Sequence, residues 1–273
     1  MHDTVTLALL TEVFPGPDGG SRLTDRLREA AARGAEIALL PELPMDRWAP
    51  ATREPSDTDA EPPRGPRWTA QREAARSAGV ALVGGAIVRD PETGRRHNTA
   101  FVFDREGQAL GDYRKAHLPS EDGFWEADHY QPGDAFAEPV LGLPLPIGVQ
   151  ICSDANRPTG SHVLAALGAE LIVVPRATPA ASWERWKLVL RANAITSCAF
   201  VATINRPGPE VGVPIGGPSA LFGPDGSVLH ESSDPLVITA LDRTAIDTTR
   251  RDYPGYLAVR HELYADAWAS LGP

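Results

Sequence analysis

Short apolar runs alternate along this chain with segments in which apolar residues recur at helical spacing, a pattern that predicts strands and helices in regular succession. Val5 to Leu10 is the first apolar run and predicts a strand. Leu23, Leu27, Ala30 and Ala31 then fall on one face of a helix from Ser21 to Arg33, which Gly34 ends. Ile37 to Leu40 predicts a second buried strand, stopped by Pro41 and followed at once by Glu42. The Pro-rich, charged stretch 49–66 reads as a loop. A helix from Arg67 to Ser77, closed by Gly79, leads into a third strand from Val80 to Val88. Asn98 to Phe103 and Gln108 to Tyr113 predict a hairpin around Arg105-Glu106-Gly107.

The same order recurs in the second half. Ala32-Arg33-Gly34-Ala35-Glu36-Ile37-Ala38-Leu39-Leu40-Pro41-Glu42 lines up with Ala166-Leu167-Gly168-Ala169-Glu170-Leu171-Ile172-Val173-Val174-Pro175-Arg176. Both read as helix end, glycine stop, strand, proline. Ile147 to Ile151 matches the first strand, Trp183 to Ser197 the second helix, and Phe200 to Ile204 the third strand. Ser219 to Phe222 and Ser227 to Leu229, around Pro224-Asp225-Gly226, match the hairpin. Neither half can bury both faces of its sheet alone, so the two are expected to stack sheet on sheet with helices outside, a four-layer αββα sandwich in one domain over residues 1–273. Val237 to Leu241 is the last strand, and a tail from about 243 to 273 carries aromatic residues beyond it.

Pro146-Ile147-Gly148-Val149-Gln150-Ile151-Cys152-Ser153-Asp154 delivers a thiol from a buried strand to a turn. Pro158 suits the first turn of the helix expected to follow, up to about Gly168. A cysteine at such an elbow is expected near the positive end of a helix, which would lower its pKa and favour the thiolate. Glu42 also lies just past a strand, at the end where α/β folds bind ligands. Lys115, in Tyr113-Arg114-Lys115-Ala116-His117-Leu118-Pro119, follows the hairpin's return strand, and Glu126 comes shortly after it. These types complement one another chemically: a thiol is a nucleophile, a carboxylate can take its proton, and an ammonium can stabilise an oxyanion.

Composition narrows the partners. The 273 residues are 42% hydrophobic and 23% charged, with a formal net charge of -10 and no block of Lys or Arg. That balance argues against nucleic acid or an anionic membrane and for a small ligand. Cys152 and Cys198 show neither metal-ligand spacing nor a disulfide framework, which fits a reducing compartment. Asp3 and the break at Thr11 and Glu12 speak against a secretory signal, and no uncharged run is long enough to span a membrane. A cytoplasmic protein is expected.

The chain resembles the nitrilase, or carbon-nitrogen hydrolase, superfamily in four motifs taken in order: Leu39-Leu40-Pro41-Glu42-Leu43, Tyr113-Arg114-Lys115-Ala116-His117-Leu118-Pro119, Pro132-Gly133-Asp134, and Ile147 to Asp154. The spacing from Tyr113 through Lys115, Pro119, Gly123-Phe124 and Glu126 to Pro132-Gly133-Asp134 looks most like the N-carbamoylputrescine amidase branch. The resemblance implies the αββα fold, a Glu42, Lys115, Cys152 triad with Glu126 as auxiliary glutamate, and an oxyanion hole formed by Lys115 and the backbone N–H of Ser153. It implies no metal and no organic cofactor, a small amide or N-carbamoyl amine as substrate, and a homodimer or higher homo-oligomer. Many relatives carry an aromatic residue after the cysteine and an Arg-aromatic-Pro-Glu run beyond it. Ser153 and Asn156-Arg157-Pro158-Thr159 stand there instead, a difference that bears on the substrate more than on the chemistry.

Other residues have plainer readings. His117 is expected to be structural, Cys198 to lie in the core, and Asp154 to tie down the elbow through nearby N–H groups. Arg176, at the repeat position equivalent to Glu42, should face the same pocket, where it could pair with a substrate carboxylate; a structural ion pair is the equal alternative. Trp125 and Trp183 could supply an apolar wall, Arg157 a second cation, and Glu121, Asp122 and Asp128 an acidic lip. Nitrile hydrolysis by the same triad, a catalytically silent binding protein on the same fold, and thiol redox chemistry are the alternatives, the last weakened by the lack of a nearby resolving cysteine.

Overall fold

The computed structural model of the chain describes residues 3–271. Its first half runs β1 (Thr4–Leu10), α1 (Gly19–Ala32), β2 (Ile37–Leu39), α2 (Pro66–Ala78), β3 (Ala81–Arg89), β4 (Arg96–Phe103) and β5 (Ala109–Arg114). After α3 (Glu126–His129), the second half runs β6 (Ile147–Val149), α4 (Pro158–Ala166), β7 (Leu171–Arg176), α5 (Trp183–Ser197), β8 (Phe200–Asn205), β9 (Ser219–Phe222) and β10 (Val228–Ser232). The chain closes with β11 (Leu236–Asp242), α6 (Thr244–Arg251) and α7 (His261–Ala269).

The strands form two sheets, in the orders β11-β1-β2-β3-β4-β5 and β10-β9-β8-β7-β6. Each contains the predicted series: two parallel pairings, then two antiparallel ones. Leu7 pairs with Ile37 and Ile37 with Ala81; in the second sheet Ile147 pairs with Leu171 and Leu171 with Phe200. β11 breaks the symmetry. It crosses back to the first sheet and pairs antiparallel with β1, Val5 opposite Leu241.

Strand alternation explains the layers. Val5, Leu7 and Leu9 point one way and meet Ile147, Val149, Leu171, Val173 and Phe200 in the core between the sheets. Ala8 and Leu10 point the other way, against Leu23, Leu27 and Ala30 of α1. On the far side Ile172, Val174 and Val201 pack against Leu164 of α4 and Leu190 and Ala194 of α5. The arrangement is αββα, as the two half-patterns predict.

Local departures have local causes. The stretch 49–66 holds two short 3-10 turns, Ala49–Ala51 and Asp57–Asp59, so it is more ordered than a plain loop. Glu126 begins a one-turn helix, Glu126–His129. The Pro-initiated helix does not start at the cysteine: a 3-10 turn, Cys152–Asn156, intervenes before α4. The predicted tail contains α6 and α7; Gly272 and Pro273 lie outside the described residues. Tyr253, Tyr256, Leu257, Leu263, Tyr264 and Trp268 on it are all more than half exposed. Among the described residues no helix is long and apolar enough to cross a membrane.

Candidate active site

Three strand ends bring the chemistry together. Glu42 lies just beyond β2, and Cys152 just beyond β6. β5 runs in the same sense as β2, because β3 to β4 and β4 to β5 are both antiparallel, so Lys115 leaves the first sheet at the same end as Glu42. The Lys115 N–H donates to the Asn98 carbonyl at 2.9 Å, and the Gly133 N–H donates to the Lys115 carbonyl at 2.8 Å. The Pro132-Gly133-Asp134 turn thus rests directly on the lysine's backbone. A Cβ at Gly133 would collide with the Arg114 carbonyl, which explains the glycine.

Lys115 is fully buried. Its Nζ donates at 2.7 Å to Glu42 Oε1 and at 2.7 Å to both oxygens of Glu126. Asn98 Nδ2 donates to the same Glu42 Oε1 at 2.7 Å. Glu42 Oε2 is buried with no hydrogen-bond partner, an unusual state for a carboxylate oxygen at an enclosed position. Burial alone would push the ammonium down, but the charges of Glu126 and Glu42 outweigh it and hold Lys115 well above its ordinary range. Burial, with the charge of Glu42 added to it, pushes Glu126 up to about 8 against the pull of Lys115.

Cys152 sits at the head of its 3-10 turn with φ 46°, in the left-handed region that a non-glycine residue enters only when its surroundings hold it there. Asp154 supplies the hold. Its Oδ2 accepts from the Ile151 N–H at 3.1 Å and the Tyr113 hydroxyl at 3.0 Å. Its Oδ1 accepts from the His117 N–H at 2.9 Å and lies 2.7 Å from His117 Nδ1. Ser153 Oγ donates to the His117 carbonyl at 2.5 Å. The cysteine elbow and the segment following Lys115 are therefore stitched together, with His117 in the stitching.

The expectation of a helix-lowered thiol pKa is corrected by this geometry. Burial first, and the negative charge of Glu42 second, push the Cys152 thiol well above its ordinary value against the pull of Lys115. The helix that was to stabilise the thiolate begins only at Pro158. A resting thiol of this kind needs a base at the moment of attack.

Cys152 and Glu126 open onto a cavity of about 320 Å³, walled by Phe124, Ser153, Asn156, Ala177, Ser182 and Trp186 and flanked by Glu121 and Arg185. Trp125 and Trp183 are not on its wall. Arg53 stacks on the Trp125 ring, 3.5 Å from its centroid, and Trp183 donates its Nε1–H to Glu231 at 2.8 Å while stacking on Phe222. Neighbouring positions take their places: Phe124, one residue before Trp125, and Ser182, Arg185 and Trp186 on the other face of the α5 entry. Arg176 is fully buried beneath the site, where its Nε donates to Thr203 Oγ1 at 2.9 Å and its other nitrogens to Thr178 Oγ1 and the Pro218 carbonyl. It faces neither the cavity nor an acidic partner, so both sequence readings of Arg176 give way to a third: a cation bridging backbone and hydroxyls. Arg157 lines a separate groove with Phe136 and Trp268. Asp128 pairs with Arg53 at 3.2 Å. Among the described residues no group of three or more His, Cys, Asp or Glu could hold a metal ion.

The sequence profile of the carbon-nitrogen hydrolase family matches residues 19–251, nearly the whole span from α1 to α6. The chain belongs to that family, within the nitrilase superfamily. It is an enzyme of the hydrolase class. It is 28% identical over 258 residues to an omega-amidase from Homo sapiens, covering 91% of each chain, and 27% identical over 258 residues to an N-carbamoylputrescine amidase from Arabidopsis thaliana, covering 87% of this chain and 86% of that one. Among solved structures it is similar to an amidase from Nesterenkonia sp., with a TM-score of 0.78, 26% identity and 97% of each chain covered. A variant of the Nesterenkonia enzyme carries the acetamide moiety of fluoroacetamide on its active-site cysteine, at a TM-score of 0.75 and 25% identity over 96% of each chain.

Proposed function

We propose that this carbon-nitrogen hydrolase cleaves a small linear amide or N-carbamoyl amine through a thioester on Cys152. The observation that carries the reading is the state of Glu42: one oxygen is fixed by Lys115 and Asn98, and the other is buried, unpartnered and close enough to the thiol for its charge to raise the thiol's pKa. That free oxygen takes the Cys152 proton as sulfur attacks the carbonyl carbon. Lys115 and the Ser153 N–H stabilise the resulting oxyanion. Glu42 returns the proton to the departing ammonia or amine, leaving the thioester. It next deprotonates a water whose attack releases the carboxylic acid from an amide, or the carbamic acid from an N-carbamoyl amine, and its proton restores the thiol. Glu126 holds Lys115 from the opposite side and so fixes the direction of its charge. No step calls on a metal or an organic cofactor.

The amide preference over nitriles is supported by the omega-amidase, N-carbamoylputrescine amidase and amidase relatives, and by the modified cysteine of the Nesterenkonia variant. Cys152→Ala should keep its fold by circular dichroism and lose turnover by at least ~10³-fold. Intact-mass measurement of the wild type with amide, N-carbamoyl and nitrile substrates sharing one side group should show an acyl adduct with the first two. Full activity in Cys152→Ala would remove the nucleophile assignment, and a nitrile preferred by more than about tenfold in kcat/KM would remove the substrate assignment.

We further read residues 1–273 as one catalytic domain whose tail, from about 243, serves in a homodimer contact. The exposed Tyr253, Tyr256, Leu263, Tyr264 and Trp268 support that reading, since so many large apolar side chains on one segment are rarely all left to water. A cytoplasmic, reducing setting suits the catalytic thiol.

A further inference from the structure

Arg206 follows β8 in the second half of the chain and is fully buried, 164 residues from Glu42. A guanidinium has five N–H donors in a fixed plane, and here five contacts take them up. Nη1 donates to the Glu42 carbonyl at 2.8 Å and to the Leu43 carbonyl at 2.6 Å. Nη2 donates to the Asp46 carbonyl at 2.8 Å and to Glu210 Oε2 at 2.7 Å, and Nε donates to Glu210 Oε1 at 2.8 Å. Three of the five contacts fall on backbone carbonyls of the loop that carries Glu42. Leu43 in that loop has φ 48°, the left-handed conformation, so the turn directly after Glu42 does not form from local preference alone. Glu210 completes the grip by accepting from the Trp48 N–H at 3.2 Å, and the Arg206 guanidinium lies 5.6 Å from the centre of the Trp48 ring.

We propose that Arg206 is a positioning residue for Glu42: its planar fork holds the backbone of residues 42–46 so that one carboxylate oxygen meets Lys115 and Asn98 while the other stays free for the thiol. The inference rests on the reading of Glu42 as the proton acceptor. It assigns Arg206 no contact with substrate. The physical reason for an arginine is geometric, since a lysine ammonium has three donors around a point and cannot reach three carbonyls and a bidentate carboxylate at once. Displacing a reacting group by even about 1 Å can cost as much as ~10²-fold in rate.

The test is a double-mutant cycle of Arg206→Lys with Glu42→Gln, read by kcat, by KM and by the rate at which iodoacetamide alkylates Cys152. Folding of each variant is verified by circular dichroism. Arg206→Lys should lower kcat by about tenfold or more, leave KM within about threefold, and slow alkylation in parallel. In the Glu42→Gln background the same substitution should change alkylation by less than about twofold, because the group it positions is already gone. If Arg206→Lys does not fold, Glu210→Gln replaces it in the cycle, with an expected kcat loss of about three- to tenfold at unchanged KM. Wild-type kcat in the folded Arg206 or Glu210 variant, or losses that multiply with Glu42→Gln, would overturn the inference while leaving Glu42 as the base. Wild-type turnover and alkylation in Glu42→Gln itself would instead overturn the reading on which it rests.

Discussion

Glu42 and Arg176 occupy equivalent places in the two halves of the sandwich, each just past or at the end of the second strand of its β-α-β-α-β-β unit, yet they end in opposite situations. Glu42 is held by Lys115 and Asn98 through one oxygen and keeps the other buried and unpartnered, in a carboxylate whose charge acts on the Cys152 thiol. Arg176 has its guanidinium engaged by Thr203, Thr178 and the Pro218 carbonyl and lies over the Trp183 ring, 4.8 Å from its centre. Burial pulls its pKa down to about 9, as expected of a cation enclosed away from water. A repeat therefore transmits position without transmitting role. What separates the two is whether a polar atom is left unpartnered: each guanidinium nitrogen of Arg176 is engaged, whereas one carboxylate oxygen of Glu42 is not.

The largest effect that could break this comparison is on turnover. Glu42→Gln preserves the shape of the side chain and its contact with Lys115 but removes the proposed proton acceptor, so kcat should fall by at least ~10³-fold with the fold intact. Arg176→Met should change kcat and KM by less than about threefold. It should instead lower stability by about 1–3 kcal/mol, the cost of leaving the Pro218 carbonyl unpaired, read as a shift in the denaturant midpoint. A KM raised tenfold or more for substrates bearing a carboxylate would return Arg176 to substrate binding and erase the contrast.

The same distinction between used and unused capacity applies to apolar surface. The alanine- and leucine-rich faces of α1 and α5 are fully matched by sheet residues, whereas the tail beyond α6 leaves Tyr253, Tyr256, Leu257, Tyr264 and Trp268 exposed. Sedimentation at micromolar concentration should show a dimer for the whole chain and a monomer for a chain ending at Arg251. Monomer alone for the whole chain would show that this surface has another use.

Much of this was legible in the sequence, and the boundary of legibility has a physical cause. Strand alternation and helical spacing encode local burial, so Val5 to Leu10 and the helix with Leu23 and Leu27 could be read directly, and the glycine and proline stops placed Glu42, Lys115 and Cys152 at strand ends. Side-chain direction beyond a strand end is set by loops, which carry no period. Trp125 and Trp183 were therefore drawn to the cavity when Phe124 and Trp186 form its wall. Asn98 had one usable signal, an amide leading into the apolar run Ala100 to Phe103. The hold of Arg206 on the Glu42 loop had none, because it falls on backbone carbonyls 160 to 164 residues away, and carbonyls have no sequence signature. The thiol pKa was misjudged for a related reason: the motif fixed the elbow but not the depth of burial.

Asp46 offers the finest test of the contrast, because it matches Glu42 in form and differs in setting. One of its oxygens lies 2.5 Å from Arg67 Nε and the other is buried without a partner, four residues along the same loop from Glu42 but away from the thiol. Burial pushes its pKa up to about 7, beyond what Arg67 and Arg206 restore. The native state therefore keeps a proton on Asp46 over a range in which the unfolded chain, with an ordinary carboxylate near 4, has released it. A raised acid pKa of this kind contributes stability that is complete below about pH 4 and is lost as pH rises through about 7. Asn mimics the protonated acid and cannot ionise, so Asp46→Asn resembles the wild type below neutrality, and above it gives up the Arg67 ion pair but escapes the larger cost of burying charge. The melting temperature of Asp46→Asn relative to wild type should thus rise between pH 5 and pH 8 by about 6 °C, which for a chain of this size corresponds to roughly 2–3 kcal/mol. Other titrating groups, Glu126 among them, are common to both proteins and cancel in the difference. Melting curves that stay parallel to within about 1 °C across that range would mean that Asp46 is ionised throughout, its free oxygen reached by water, and that an unpartnered buried oxygen does not by itself mark a carboxylate as held out of equilibrium with solvent.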